Sequence, residues 1–220
     1  MGKIILSTFV TIVFALLLNE IKNKFMKRSI QTIVYLPNFL SWVILATVVV
    51  NIFSYEGPIN AVLEMLGIEP ILFMASNKWF RSVLIVTDVW KGFGYGAIIY
   101  LAALSGIDPG LYEAAAIDGA NRFKRVWHIT LPGILPTIML VTIMNLPNVL
   151  NAGFDQIFNL YNPLVMETAD IIDTWVYRVG LVERQYSLGT AVGLLRSIVG
   201  IILMLSANKI AQKVTDYRIF

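Results

Sequence analysis

Apolar side chains in this chain gather into five runs, at about 2–18, 30–53, 79–104, 131–150 and 187–207. Crossing a bilayer takes about 20 apolar residues in a helix. In lipid the backbone must satisfy its own hydrogen bonds, so runs of this kind are helical when they span. The pattern predicts an all-α polytopic membrane protein, with one transmembrane domain over 1–220 and five spans. Composition agrees: 57% of residues are hydrophobic and 14% charged, against roughly 45–50% and about 25% in a globular domain.

Several chemistries are excluded. The chain has no cysteine, and His128 is its one histidine. Thiolate and histidine metal sites and thiol nucleophiles are therefore out. No GxxxxGK[ST], GxSxG or HExxH motif occurs, and no carboxylate pair stands out for acid–base work. We expect no enzyme, and no metal or cofactor on this chain. The net charge of +3 follows from the positive-inside bias of membrane proteins, not from nucleic-acid binding.

The first run is short, and a span must use everything up to Ile21. A signal peptide competes for this stretch. No small-x-small cleavage site follows it, and Asn19 and Glu20 lead into a basic loop. The myristoylation pattern fails at Leu6. The second run contains Pro37 and reads as one span over Ile30–Phe53. Between the second and third, Asn60–Leu66 suits a short amphipathic helix.

Alternate loops must lie on opposite sides. One side carries Lys22, Lys24, Lys27, Arg28, Arg122, Lys124, Arg125, Lys209, Lys213 and Arg218. The other carries Lys3, Lys78, Arg81, Arg178 and Arg184. The richer side is expected to be cytoplasmic. That places the C-terminus inside and the N-terminus outside, as if a preceding span were absent.

The longest cytoplasmic interlude, Asp108–Pro132, reads DPGLYEAAAIDGANRFKRVWHITLP. Asp108 suits an N-cap and Pro109 the first helical turn. Gly119 can close that helix in a left-handed cap, and Asn121 can open a second one. Two short helices at an angle are expected, presenting a surface for a partner.

Within the spans, Asp88 and Lys91 share a helix face, as a structural ion pair or as the lining of a path. KGFGYGA, with Gly92, Gly94 and Gly96, has the wrong spacing for a phosphate loop and suits close helix packing. Asn145, Asn148 and Asn151 form a polar stripe, for interhelical bonds or for a hydroxyl-rich solute. The last external loop offers Asp155, Gln156, Tyr161 and Trp175 beside Phe154, Asn162, Asp173 and Tyr177. Aromatics beside carboxylates and amides suit sugar rings, and equally an interfacial belt. Arg196 requires an ion-pair partner.

EAAAIDGANRFKRVWHITLP resembles the signature of ABC-transporter permeases of the binding-protein-dependent class, on Glu113, Ala114, Ala115, Gly119, Ile129, Leu131 and Pro132. Asp118, Gly119 and Ala120 look like the carbohydrate-uptake branch. YLPNFLSW, VWKGFGY and FDQIFNLYNPLV extend the likeness to permeases for polysaccharides and complex oligosaccharides, alginate importers included. The resemblance implies a fold of six spans, of which the first would be missing here. It makes 108–130 the coupling helices, seated in a groove of a cytosolic ATPase dimer that binds ATP and Mg. It also implies a second homologous permease, an extracellular solute-binding protein and a carbohydrate substrate. An ion-gradient transporter using Asp88 and Lys91, and a non-transporting signalling or scaffold subunit, are the alternatives.

Overall fold

The computed structural model describes residues 2–215, without the side chains of Pro147 and of residues 210–215. The Lys213 side chain and Arg218 of the expected basic tail thus lie outside what is described.

The described residues are helical, with no strand among them. The order is α1 (Gly2–Asn19), α2 (Lys24–Phe39), α3 (Trp42–Ile52), α4 (Pro58–Met65), α5 (Asn77–Ser105), α6 (Pro109–Ile117), α7 (Arg122–Arg125), α8 (Leu131–Asn145), α9 (Phe154–Leu160), α10 (Met166–Ala169), α11 (Ile172–Val176) and α12 (Tyr186–Thr215). A π-helical stretch, Val126–Thr130, makes α7 and α8 continuous, so one helix runs Arg122–Asn145. A 3₁₀ turn, Leu146–Leu150, and a second π-helical stretch, Tyr177–Val182, bracket the segment 151–176.

Among the described residues four helices are long and apolar enough to cross a membrane: Gly2–Asn19, Asn77–Ser105, Arg122–Asn145 and Tyr186–Lys209. The remaining span differs from expectation. It is not one helix over 30–53. It breaks into α2 and α3, which meet at 105°. The break falls just past Pro37. Leu40 N–H reverts to the Pro37 carbonyl, and Ser41 opens a new helix by accepting from Ile44 N–H. The restart costs little because the serine cap satisfies one orphaned donor.

The long helix α5 is central. Ala97, Tyr100 and Leu104 pack with Ala15 of α1 and Ile134 of α8 in one core cluster. Phe80, Val83 and Leu84 pack with Ala46 and Val49 of α3, Ile157 and Leu160 of α9, and Ala169 of α10 in a second. Of the three neighbouring glycines only Gly94 is required by packing. A Cβ there would sit 2.5 Å from Val34 Cγ1 and 2.6 Å from the Val34 carbonyl, whereas Gly92 faces open space.

The outer surface stays apolar. On α12, Leu194, Leu195, Ile198, Ile201, Ile202 and Leu205 are all exposed, as a lipid-facing helix requires. Arg196 on the same helix pairs with Asp173, which supplies the partner its sequence position demands.

Candidate functional site

Two cavities lie one above the other along α5. The outer has a volume of about 600 Å³ and touches Arg81, Leu84, Ile85 and Asp88 on that helix. The inner, about 360 Å³, touches Asp88, Lys91, Gly92, Gly96, Ile99 and Tyr100. Ser7, Thr8, Asp88 and Asn145 line both, so the two cavities adjoin between α1, α5 and α8 with these polar groups at their junction. Tyr100 is 2% exposed, and its hydroxyl has no hydrogen-bond partner in the chain.

Of the two readings of Asp88 and Lys91, the ion pair between them is not made among the described residues, while both line the inner cavity. Asp88 faces Lys3 of α1 at 3.6 Å. Lys3 also donates to the Ala152 carbonyl at 2.6 Å and to Gln156. Lys91 turns the other way. Its ammonium donates to the carbonyls of Pro37 and Asn38 at 3.1 Å each, and to that of Leu40. It also lies 5.6 Å from the centre of the Trp42 ring. A cation at the C-terminal end of α2 neutralises the negative end of the helix dipole. Tertiary partners thus replaced the local i, i+3 pairing, and Lys3, counted in sequence as a loop cation, belongs to the site.

The three asparagines do converge on the passage, though not as a stripe on one helix. Asn145 ends α8, Asn148 sits in the 3₁₀ turn and Asn151 follows it. All three line the outer cavity, and Asn145 the inner one too. Asp155, Tyr161 and Trp175 lie outside both linings. Tyr161 belongs instead to an aromatic cluster with Phe158, Phe154 and Tyr177. Gln156 is fully buried. It donates to the Leu84 carbonyl at 2.8 Å and to Thr87 Oγ1 at 2.9 Å, so it fastens α9 to α5 behind the cavity wall.

The 108–130 loop folds as its caps predict. Asp108 accepts from Gly110 N–H at 2.8 Å. Gly119, at φ +74°, closes α6 with bonds from Gly119 N–H to the Ala116 carbonyl and from Ala120 N–H to the Ala115 carbonyl. This is a Schellman cap, whose left-handed residue is most often glycine. Asn121 accepts from Lys124 N–H at 2.9 Å and starts α7. Tyr112 and Thr130 hydroxyls, 3.0 Å apart, tie the two helices together. Glu113, Ala114, Asp118 and Gly119 are exposed, and Ala115 and Ala120 half-buried. Leu111, Ile117, Phe123 and Trp127 are exposed as well, Ile117 at 88%.

Comparison with known proteins gives a consistent picture. The family model described as "Binding-protein-dependent transport system inner membrane component" matches residues 7–216. Protein LplB of Bacillus subtilis is 44% identical over 95% of this chain. From the same organism, the polygalacturonan/rhamnogalacturonan transport system permease protein YteP is 41% identical over 96%. The chain spans 66% of the length of each. Among solved structures, a bacterial ABC transporter involved in import of the acidic polysaccharide alginate matches with TM-score 0.89 and 38% identity, over 97% of this chain and 78% of that one. The bacterial alginate ABC transporter in complex with an alginate pentasaccharide-bound periplasmic protein matches with TM-score 0.90 and 38% identity, over 99% and 78%.

Proposed function

This chain belongs to the family of binding-protein-dependent transport system inner membrane components, and from that premise we propose that it is the membrane-spanning permease subunit of an ATP-driven carbohydrate importer. The observation that carries the coupling role is the α6–α7 loop. It leaves the membrane-spanning helices yet exposes Leu111, Ile117, Phe123 and Trp127. Exposed apolar side chains grouped on a rigid polar element mark an interaction surface. A cytosolic ATPase dimer holding ATP and Mg is the partner that fits. Closure of its subunits pushes on α6, and α5 on one side and α8 on the other carry the motion to the cavities. Glu113, Ala114, Ala115, Asp118, Gly119 and Ala120 form the contact. The Lys and Arg distribution supports a cytoplasmic loop and C-terminus and an outer N-terminus.

The passage supplies amide and hydroxyl groups from Asn145, Asn148, Asn151, Ser7 and Thr8, which match the hydroxyls of an oligo- or polysaccharide. Asp88 is offset by Lys3, and among the described residues no carboxylate pairs with Arg81. The lining therefore keeps an excess positive charge, which favours a saccharide bearing carboxylates over a neutral one. A second homologous permease and an extracellular solute-binding protein complete the assembly.

The test is reconstitution of the assembled transporter in vesicles, with uptake of labelled oligogalacturonide followed with and without ATP. ATP-dependent uptake, lost on disabling the ATPase, is the expected result. Uptake that ignores the ATPase would make the chain an ion-gradient transporter. Complex formation without any flux would make it a scaffold subunit.

A further inference from the structure

Below the inner cavity one helix face stands out. Along α2, Asn38, Tyr35, Gln31 and Lys27 recur at spacings of three, four and four, which puts them on one side of the helix. All four are half-buried. The other side carries Phe25, Ile33 and Leu36, exposed at 81%, 70% and 59%. In a membrane helix the apolar side faces lipid, and a polar side is tolerated only against protein or water. At its upper end the polar face joins the passage, because Asn38 lines the inner cavity beside Lys91.

The direction of this face follows from two contacts. Lys91 bonds the end of α2 at Pro37, Asn38 and Leu40, whereas Gly94 meets Val34. Advancing along α5 means retreating along α2, so the two helices run antiparallel. The α5 chain then leads through Ser105 into the α6–α7 loop. The polar face of α2 therefore descends from the inner cavity toward the loop side. It ends beside exposed Lys24 and Arg28. An ion pair at 3.8 Å between Glu20, just before α2, and Arg122 of α7 places the same two regions together.

We infer that the α2 face formed by Asn38, Tyr35, Gln31 and Lys27 is the inner half of the route, along which a saccharide leaves the inner cavity toward the coupling-loop side. This rests on the permease reading and extends it to residues outside both cavities. Amide and phenol groups exchange hydrogen bonds with sugar hydroxyls in sequence, while Lys27 draws a carboxylate-bearing chain onward. Among the described residues Lys27 forms no ion pair that would neutralise it.

The chain has no cysteine, so each single-cysteine variant adds one thiol to it, read in the assembled transporter against the complex carrying the unsubstituted chain as background. The variants are Gln31→Cys and Tyr35→Cys on the polar face, and Ile33→Cys and Leu36→Cys on the other. A membrane-impermeant methanethiosulfonate is the probe. Polar-face thiols should react about tenfold faster, since the attacking species is the thiolate and apolar surroundings suppress it. Their labelling should block uptake, and oligogalacturonide with ATP should slow it. Equal labelling of both faces, or labelled polar-face variants that still transport, would overturn the inference while leaving the permease reading intact. A parent complex that shows no ATP-driven uptake would overturn both.

Discussion

Lys3 in the first turn of α1 meets Asp88 in the middle of α5 at 3.6 Å, across 85 residues of sequence. The ammonium is also held by the Ala152 carbonyl and the Gln156 side chain. One cation thus joins α1, α5 and the segment entering α9 at the wall of the outer cavity.

That arrangement makes the two partners unequal. Lys3→Met leaves Asp88 facing a membrane cavity with its ion-pair partner gone. Asp88→Asn leaves Lys3 with two oxygen acceptors. Breaking a fully buried pair costs roughly 3–5 kcal/mol, and partial exposure of Asp88 should reduce this to about 2 kcal/mol for Lys3→Met. Thermal unfolding of the detergent-solubilised complex should rank Lys3→Met below Asp88→Asn, with the double variant recovering part of the loss. Equal effects of the two single changes would contradict the geometry.

At Gly119 the demand is conformational, not steric. Its φ is +74°, yet no atom lies within 4 Å of a Cβ placed there. Gly119→Leu should therefore strain the α6 cap by about 1–2 kcal/mol while leaving membrane insertion unchanged. Transport should fall sharply, and Gly119→Asn should retain most of it, since asparagine tolerates the left-handed region. Uptake by Gly119→Leu equal to the parent's would remove the loop from the coupling path.

Gly94 and Gly92 separate two kinds of glycine. Gly94→Ala drives a methyl group into the Val34 backbone, so α2 must shift. Such overpacking typically costs about 1–3 kcal/mol. Gly92→Ala meets open space and should be stable, or slightly stabilised through better helix propensity. Melting temperatures of the two variants side by side check this.

The segment between α9 and α12 carries a pH dependence. Arg178 bonds the Asp170 carboxylate, at 2.7 Å from Nη2, and Thr174 donates to it as well. These contacts hold the Asp170 carboxyl below its ordinary range. A lowered folded-state pKa means the contribution is complete above the unfolded value of about 3.9. It is lost as pH falls through the folded value. With both side chains partly exposed, the pair contributes at most about 1 kcal/mol. Asp170→Asn should be slightly less stable than the parent at pH 7, and the gap should close under strong acid. A gap that widened with acidification would refute this assignment.

Much of this was legible in the sequence. Long apolar runs and Asp108, Pro109, Gly119 and Asn121 specify helices and caps through local chemistry, and the observed boundaries follow. The α2–α3 break was not read, because Pro37 inside a hydrophobic run is compatible with a mild kink. The signal lay four residues on, where Ser41 is a helix cap within an apolar stretch. Lys3 escaped, and Gln156 reads in sequence as a sugar-facing loop residue and not as a buried clasp, for another reason. Their partners lie 69 to 153 residues away, and nothing local predicts such encounters. Asp88 and Lys91 show the converse: correct spacing for a pair, overruled by better partners across the helix interfaces.

The Lys91 clamp at the 105° bend has a mechanical consequence. A sharply broken helix would ordinarily be a loose joint, free to open and close on its own. Here the joint is pinned from outside by an ammonium on α5, whose far end runs into the α6–α7 loop. The bend and α5 are therefore held together. Under the permease reading, a push at α6 would reach α2 through this clamp, close to where Asn38 lines the inner cavity.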